Sequence, residues 1–315
     1  MTTVAAADAV IPARTNVLVA GAIGAGNLIF LFGAPALLAA GYGSAAWLSV
    51  PFALATIPHW ALIHEAVHGH LHPRRGVNDG AGRLLAVLFL APFDALRFGH
   101  LSHHALNARA TERPECYDPR ARPWLGAAPV FYARLLGGVY LAEAASSLLS
   151  LFPRRALRPV VRKAFYDGDP EAAHVADRAE RVLLAPRALR RIRADATCAM
   201  ALLAGSAWCY GAAWPVLALA LLGRAFLISF LDNAPHYGGP LADPDQGYDM
   251  RAPAGLDRLV LHANLHGTHH RYPNLPWTAL PAAFRADGEG YAGNYLVIPW
   301  RQLKGPVPVE QMPQR

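Results

Sequence analysis

The sequence predicts an all-α polytopic membrane protein, one domain over residues 1–315 with about four crossings in two helical hairpins, interfacial helices and a helical cap at one face. Three observations carry that expectation. Only 16% of the 315 residues are charged and 54% are hydrophobic, whereas a soluble domain is about 25% charged. From Thr15 to His64 there is no Asp, Glu, Lys or Arg. A second uncharged run covers Ala196 to Gly223 and continues to Leu231 with Arg224 as its one interruption. A single crossing needs about 20 apolar residues, so the first run is long enough to go over and return. The apolar content excludes a disordered chain. Three scattered cysteines exclude a disulfide scaffold.

Residues 1–14 read as an N-terminal tail. Asn16 to Ala40 crosses, Gly41-Tyr42-Gly43 punctuates, and Ser44 to Ile63 returns. The run is too long for a signal-peptide core and lacks a basic start. Residues 82–99 are apolar but carry Arg83, Asp94 and Arg97, which suits an interfacial segment. Residues 129–152 carry Arg134 and Glu143 around Gly137-Gly138. If the histidine clusters share one side, this segment is interfacial or re-entrant. The second hairpin is read as 197–211 and 214–232, broken near Gly211 and Pro215. Residues 286–315 read as a C-terminal tail.

The net charge is +7, and 27 of the 29 basic residues are arginine, Lys163 and Lys304 being the others. Residues 153–193 hold eleven basic side chains, among them Arg154, Arg155, Arg158, Arg162 and Arg193. In a chain this apolar, such a loop marks the cytoplasmic face, not a nucleic-acid partner. Both termini fall on that side. The arginine and alanine bias suggests a bacterial inner membrane, with the site facing the cytoplasm.

The fourteen histidines carry the chemistry. His64 and His68 stand at i and i+4; His100, His103 and His104, and again His266, His269 and His270, stand at i, i+3 and i+4. On a helix those offsets share a face. Neutral imidazole is a common ligand for iron, zinc or copper. Eight ligands exceed the four-coordinate shell of one zinc, so two metals are implied. His236, in Asp232-Asn233-Ala234-Pro235-His236, is a candidate ninth ligand. His59, His70, His72, His174 and His262 read as packing, supporting or exposed residues. Glu65, Asp94, Glu112, Glu115 and Asp232 are acids available to orient imidazoles.

Three histidine boxes straddling two apolar hairpins resemble the membrane fatty acid desaturase and hydroxylase superfamily, over roughly residues 15–285. The resemblance implies a non-haem di-iron site at the cytoplasmic face, with dioxygen as co-substrate and an acyl lipid or fatty acid as substrate. It implies His64, His68, His100, His103, His104, His266, His269 and His270 as iron ligands, and His236 as the additional histidine of many desaturases. Those relatives place an Asn four residues before it, holding a water on iron. Here Asp232 stands at that position with Asn233 beside it, and both are candidate catalytic residues. No reductase is visible, so a separate donor such as ferredoxin with its reductase is expected; the basic 153–193 face suits an acidic donor and suits lipid headgroups at least as well.

Desaturation is the expected outcome. Hydroxylation, ketone formation, or decarboxylation to a terminal alkene are alternatives, the last through an arginine of the 105–115 segment binding a free carboxylate. His64-Glu65-Ala66-Val67-His68 also spells HExxH, which admits an intramembrane zinc protease. A non-enzymatic metal-binding membrane protein is a further class.

Overall fold

The computed structural model describes residues 9–107, 109–165, 173–243 and 245–314. Helix α1 (Ala13–Ala39) and helix α2 (Gly43–His68) are each long and apolar enough to cross a membrane. They lie within a few residues of the expected first hairpin. Helix α2 runs on to His68, so the first histidine pair rides on its last turns. Gly69, with φ of 86°, stops the helix there; a left-handed residue after a helix is the usual place for glycine. The start of α1 is tied to the same end: Asn16 donates to the carbonyls of His70 and Leu71 and accepts from the indole of Trp277 at 2.9 Å.

Helices α3 (Arg75–Leu88) and α4 (Phe93–Leu106) meet at a bend of 100°. The charges that mark this stretch as interfacial are paired. Arg83 bonds Asp94 and Asp195, and Arg97 reaches Asp79 at 2.5 Å.

Helix α5 (Trp124–Ser150) is long and apolar enough to span by itself, but its neighbours place it across the bundle. Phe131 near its start packs on Phe230 and Tyr237, while at its end the carbonyl of Ser150 accepts from Arg193 at 3.1 Å. Phe230 and Arg193 belong to the last turns of α9 (Trp214–Asp232) and the first turns of α8 (Pro186–Tyr210). Helices α8 and α9 form the second hairpin, reversing at Gly211 with φ of 48°. A straight helix over the same 47 residues would be about 70 Å long, twice the hydrocarbon thickness. Tyr210 and Leu217, on either side of the turn, pack together with Phe30 and Phe52. The ends remote from that turn therefore lie at one level, and the two ends of α5, which kinks between them at Gly137, meet them there.

Arg224, the one charge inside the second apolar run, is buried. It donates to Leu88 carbonyl at 3.0 Å and Asn27 Oδ1 at 2.8 Å, and lies 4.2 Å over the Phe52 ring. Helices α6 (Arg154–Phe165) and α7 (Ala173–Leu183) are cap helices joined by Arg158–Glu180 and Arg162–Asp177 pairs. Short α10 (His266–Arg271) and α11 (Leu280–Asp287) follow the hairpin.

The stretch expected as a C-terminal tail is packed instead. Gly293–Asn294 pairs with Met250–Arg251, Val307–Pro308 pairs with Cys116–Tyr117, and Gln302 is fully buried with its amide donating to Phe230 carbonyl at 2.8 Å. Its two-residue strands and 3-10 turns show neither helical nor strand periodicity, which is why its sequence gives no sign of an element.

Candidate metal centre

Helices α2, α4 and α10 bring all eight box histidines to one place, and the turn after α9 adds His236. The nine form two groups in which the potential ligand atoms lie within 4.8 Å of one another. One group is His64, His68, His100, His104 and His269; the other is His103, His236, His266 and His270. Helical geometry explains the partition. Residues i and i+4 point almost the same way, while i+3 and i+4 differ by about 100°. Each HxxHH box therefore gives its outer pair to one group and its middle histidine to the other. Box two sends His100 and His104 to the five-membered group and His103 across; box three sends His266 and His270 to the four-membered group and His269 across.

The Nε2 atoms face each other closely. His68 and His104 lie 2.9 and 3.1 Å from His100, and His269 lies 3.1 Å from His104. In the other group His236 lies 3.2 Å from His103 and 2.8 Å from His266, and His270 lies 3.0 Å from His266. The outer nitrogens settle what these atoms are. Nδ1 of His236 is 3.1 Å from both the carbonyl and the side-chain oxygen of Gln246, two acceptors. It therefore carries the hydrogen, and Nε2 presents a bare lone pair. Nδ1 of His103 lies 3.4 Å from a carboxylate oxygen of Glu112, an acceptor that favours the hydrogen on that side. Two lone pairs at 3.2 Å repel unless a cation lies between them. Ligand bonds of about 2.1 Å at right angles would separate the nitrogens by about 3.0 Å, so the donor set fits a metal.

Burial, and then the charge neighbouring rings would carry, holds His236, His266 and His269 well below the ordinary imidazole range, and His270 is lowered by the same causes. They are neutral, the form that binds metal. Asp249 anchors α10 from outside. It accepts from Thr268 backbone and hydroxyl at 2.9 Å each and from Arg271 at 3.2 Å. The helix ends at Arg271 before Pro273, as the prolines predict.

A cavity of about 860 Å³ opens on the histidines, walled by apolar groups such as Trp60, Leu96, Ile228, Leu261 and Trp277. Drug-sized ligands occupy about 300–1,000 Å³. Asp232 lines this cavity but belongs to neither histidine group. The Asn233 amide donates to Glu115 at 3.1 Å and to Gln302 at 3.4 Å. Glu65 lines the same cavity but belongs to neither histidine group, and its carboxylate accepts from the backbone of Trp277 at 3.2 Å. Arg113 is fully buried against Glu115, so it is not open to a substrate carboxylate. Asp94 pairs with Arg83 and Arg191.

The other histidines stay outside both groups. His59 bonds Leu85 carbonyl at 2.9 Å, His70 stacks 6.0 Å from His68, His72 accepts from Arg74 backbone, His262 stacks on Trp277, and His174 is exposed. Gln246, Asn107, which lies 3.3 Å from His270 Nδ1, and Asp249 escape sequence reasoning, because loop residues carry no period to mark them.

The sequence profile of fatty acid desaturases matches residues 44–302. A stretch of 63 residues is 33% identical to an acyl-lipid (9+3)-(E)-desaturase of Dimorphotheca sinuata, covering 20% of this chain and 16% of that relative's length. The profile runs from the second apolar helix to the segment packed beneath the His236 turn, and the chain belongs to the fatty acid desaturase family.

Proposed function

We propose that this integral membrane protein is a dioxygen-dependent di-iron oxidase that desaturates a fatty acyl chain, with its site at the cytoplasmic face of a bacterial inner membrane. The observation that carries the reading is the convergence of nine imidazoles, in groups of five and four, six of them lining one apolar cavity. The five would hold one iron and the four the other; when bound, the irons activate dioxygen to abstract hydrogen from an unactivated C–H bond. Overall, two hydrogens from adjacent carbons, with two electrons and two protons from outside, reduce one dioxygen to two waters and leave a double bond. The protein's own groups do the rest. The apolar walls hold methylenes against the histidines and exclude water. Gln246 fixes the tautomer of His236, and Glu112 that of His103. Asp232, on the cavity wall beside the turn that carries His236, is the candidate to orient water or a proton near the second group; Asn233 holds that turn to Glu115. The electrons come from a separate acidic donor such as ferredoxin with its reductase, docked on the arginines of α6 and α8.

Mass-spectrometric profiling of lipids and hydrocarbons from expressing cells tests this. An internal double bond should depend on His103 and persist in His174→Ala. A His103-dependent hydroxyl, ketone or shortened terminal alkene would replace desaturation with the corresponding sister chemistry. A new product that survives His103→Ala would overturn the site.

A further inference from the structure

Resting on the two-metal reading above, we propose that the buried Arg113–Glu115 pair is a positioning device for the four-imidazole centre, acting through the turn that carries His236. Eight of the nine imidazoles sit on α2, α4 or α10, whose backbones fix their direction. His236 sits in a turn, closed by its own N–H to Asn233 carbonyl at 2.9 Å and by Gly239 N–H to His236 carbonyl at 3.0 Å. Such a turn needs holding from outside.

Arg113 and Glu115 hold it at several points. The Arg113 guanidinium donates to the His236 carbonyl itself and, through Nε and Nη2, to Glu115 Oε1 at 3.1 and 2.8 Å. Glu115 Oε1 also accepts the N–H of Gly238 at 3.2 Å, and Oε2 accepts the amide of Asn233 at 3.1 Å. The carboxylate therefore bridges residues on both sides of His236. Both side chains of the pair are fully buried. The pair follows the turn Ala110–Glu112, which leads out of α4 and carries the His103 partner Glu112. One short segment thus references His236 to the helix bearing His103.

A buried ion pair is by itself weak evidence of stabilisation, because desolvation offsets attraction. Its geometry is the informative part. The guanidinium presents Nε and Nη2 together to one carboxylate oxygen while reaching the carbonyl, a fixed planar fork that a lysine ammonium does not reproduce. Among the described residues, no comparable pair contacts the backbone of a histidine in the five-imidazole group.

The test counts iron. Full-length protein is loaded with ferrous iron, and iron per chain is followed against rising chelator for the unaltered chain, Arg113→Lys, Glu115→Gln and His236→Ala. The unaltered chain should hold about two irons. In Arg113→Lys and Glu115→Gln one iron should leave at about 10–100-fold lower chelator while the other is retained, and His236→Ala should hold about one throughout. Two irons with unaltered chelator resistance in both pair variants would overturn the proposal. Parallel loss of both irons would also overturn it, since that marks general loosening. If Arg113→Lys fails to fold, the nearly isosteric Glu115→Gln decides alone. An unaltered chain with fewer than two irons fails before any substitution, and overturns the two-metal reading together with this proposal.

Discussion

The five-imidazole group draws every member from a helix, whereas the four-imidazole group draws one from a turn. In the first group the backbone already aims the rings, because helical spacing puts i and i+4 on one face. In the second, His236 is aimed by side chains: Arg113 on its carbonyl, Glu115 on its flanks, Gln246 on its ring. Direction that comes from secondary structure survives the loss of one contact. Direction that comes from a polar network fails as a unit.

The sharpest way to break this contrast is to cut each group in turn to three imidazoles. His64→Ala with His269→Ala should leave a single iron in the four-membered group and His236→Ala a single iron in the five-membered group, with turnover lost in both. Iron spectra of the two variants should differ from each other and sum to the parent spectrum. Identical spectra would mean that the groups share one metal. A smaller effect is expected from Glu112→Gln, which removes the carboxylate charge beside His103 Nδ1. Iron affinity at the four-membered group should fall about 10–100-fold with the other group unchanged, measured by chelator competition. Equal losses at both would show Glu112 to be a general support.

The smallest effect should erase the difference between the groups. His236, His266, His269 and His270 are held below the usual imidazole range, so below about pH 6.5 the unfolded chain binds protons that the fold refuses. Stability of the metal-free protein is then full above that pH and falls as the pH drops below it. Thermal unfolding in detergent from pH 8 to 5 should show a falling midpoint. A midpoint constant over that range would contradict the neutral assignment.

Much of this architecture is legible in the sequence, for reasons that residues make plain. Charge-free runs announce α1, α2, α8 and α9, and the histidine spacing announces helices that end in a site. Helix α5 is ambiguous because its composition permits a crossing; contacts to Phe230 and Arg193, not composition, lay it across the bundle. The packing of residues 286–314 is illegible because short parallel strands and buried polar groups such as Gln302 leave no period. The same holds within the site. His236 stands out as a histidine after an apolar helix, but nothing in Arg113, Glu115 or Gln246 announces that they converge on it.

The packing of Gln302 against Asn233 and Phe230 sets an order of manufacture. Four members of the five-imidazole group are already synthesised when the ribosome reaches Asn107, and only His269 comes late. The other centre waits for His266, His270 and then Gln302 to dock beneath the His236 turn. Helix α10 carries His269 together with His266 and His270, so both imidazole groups gain their last helical members together, and the second differs in also needing Gln302 beneath the His236 turn.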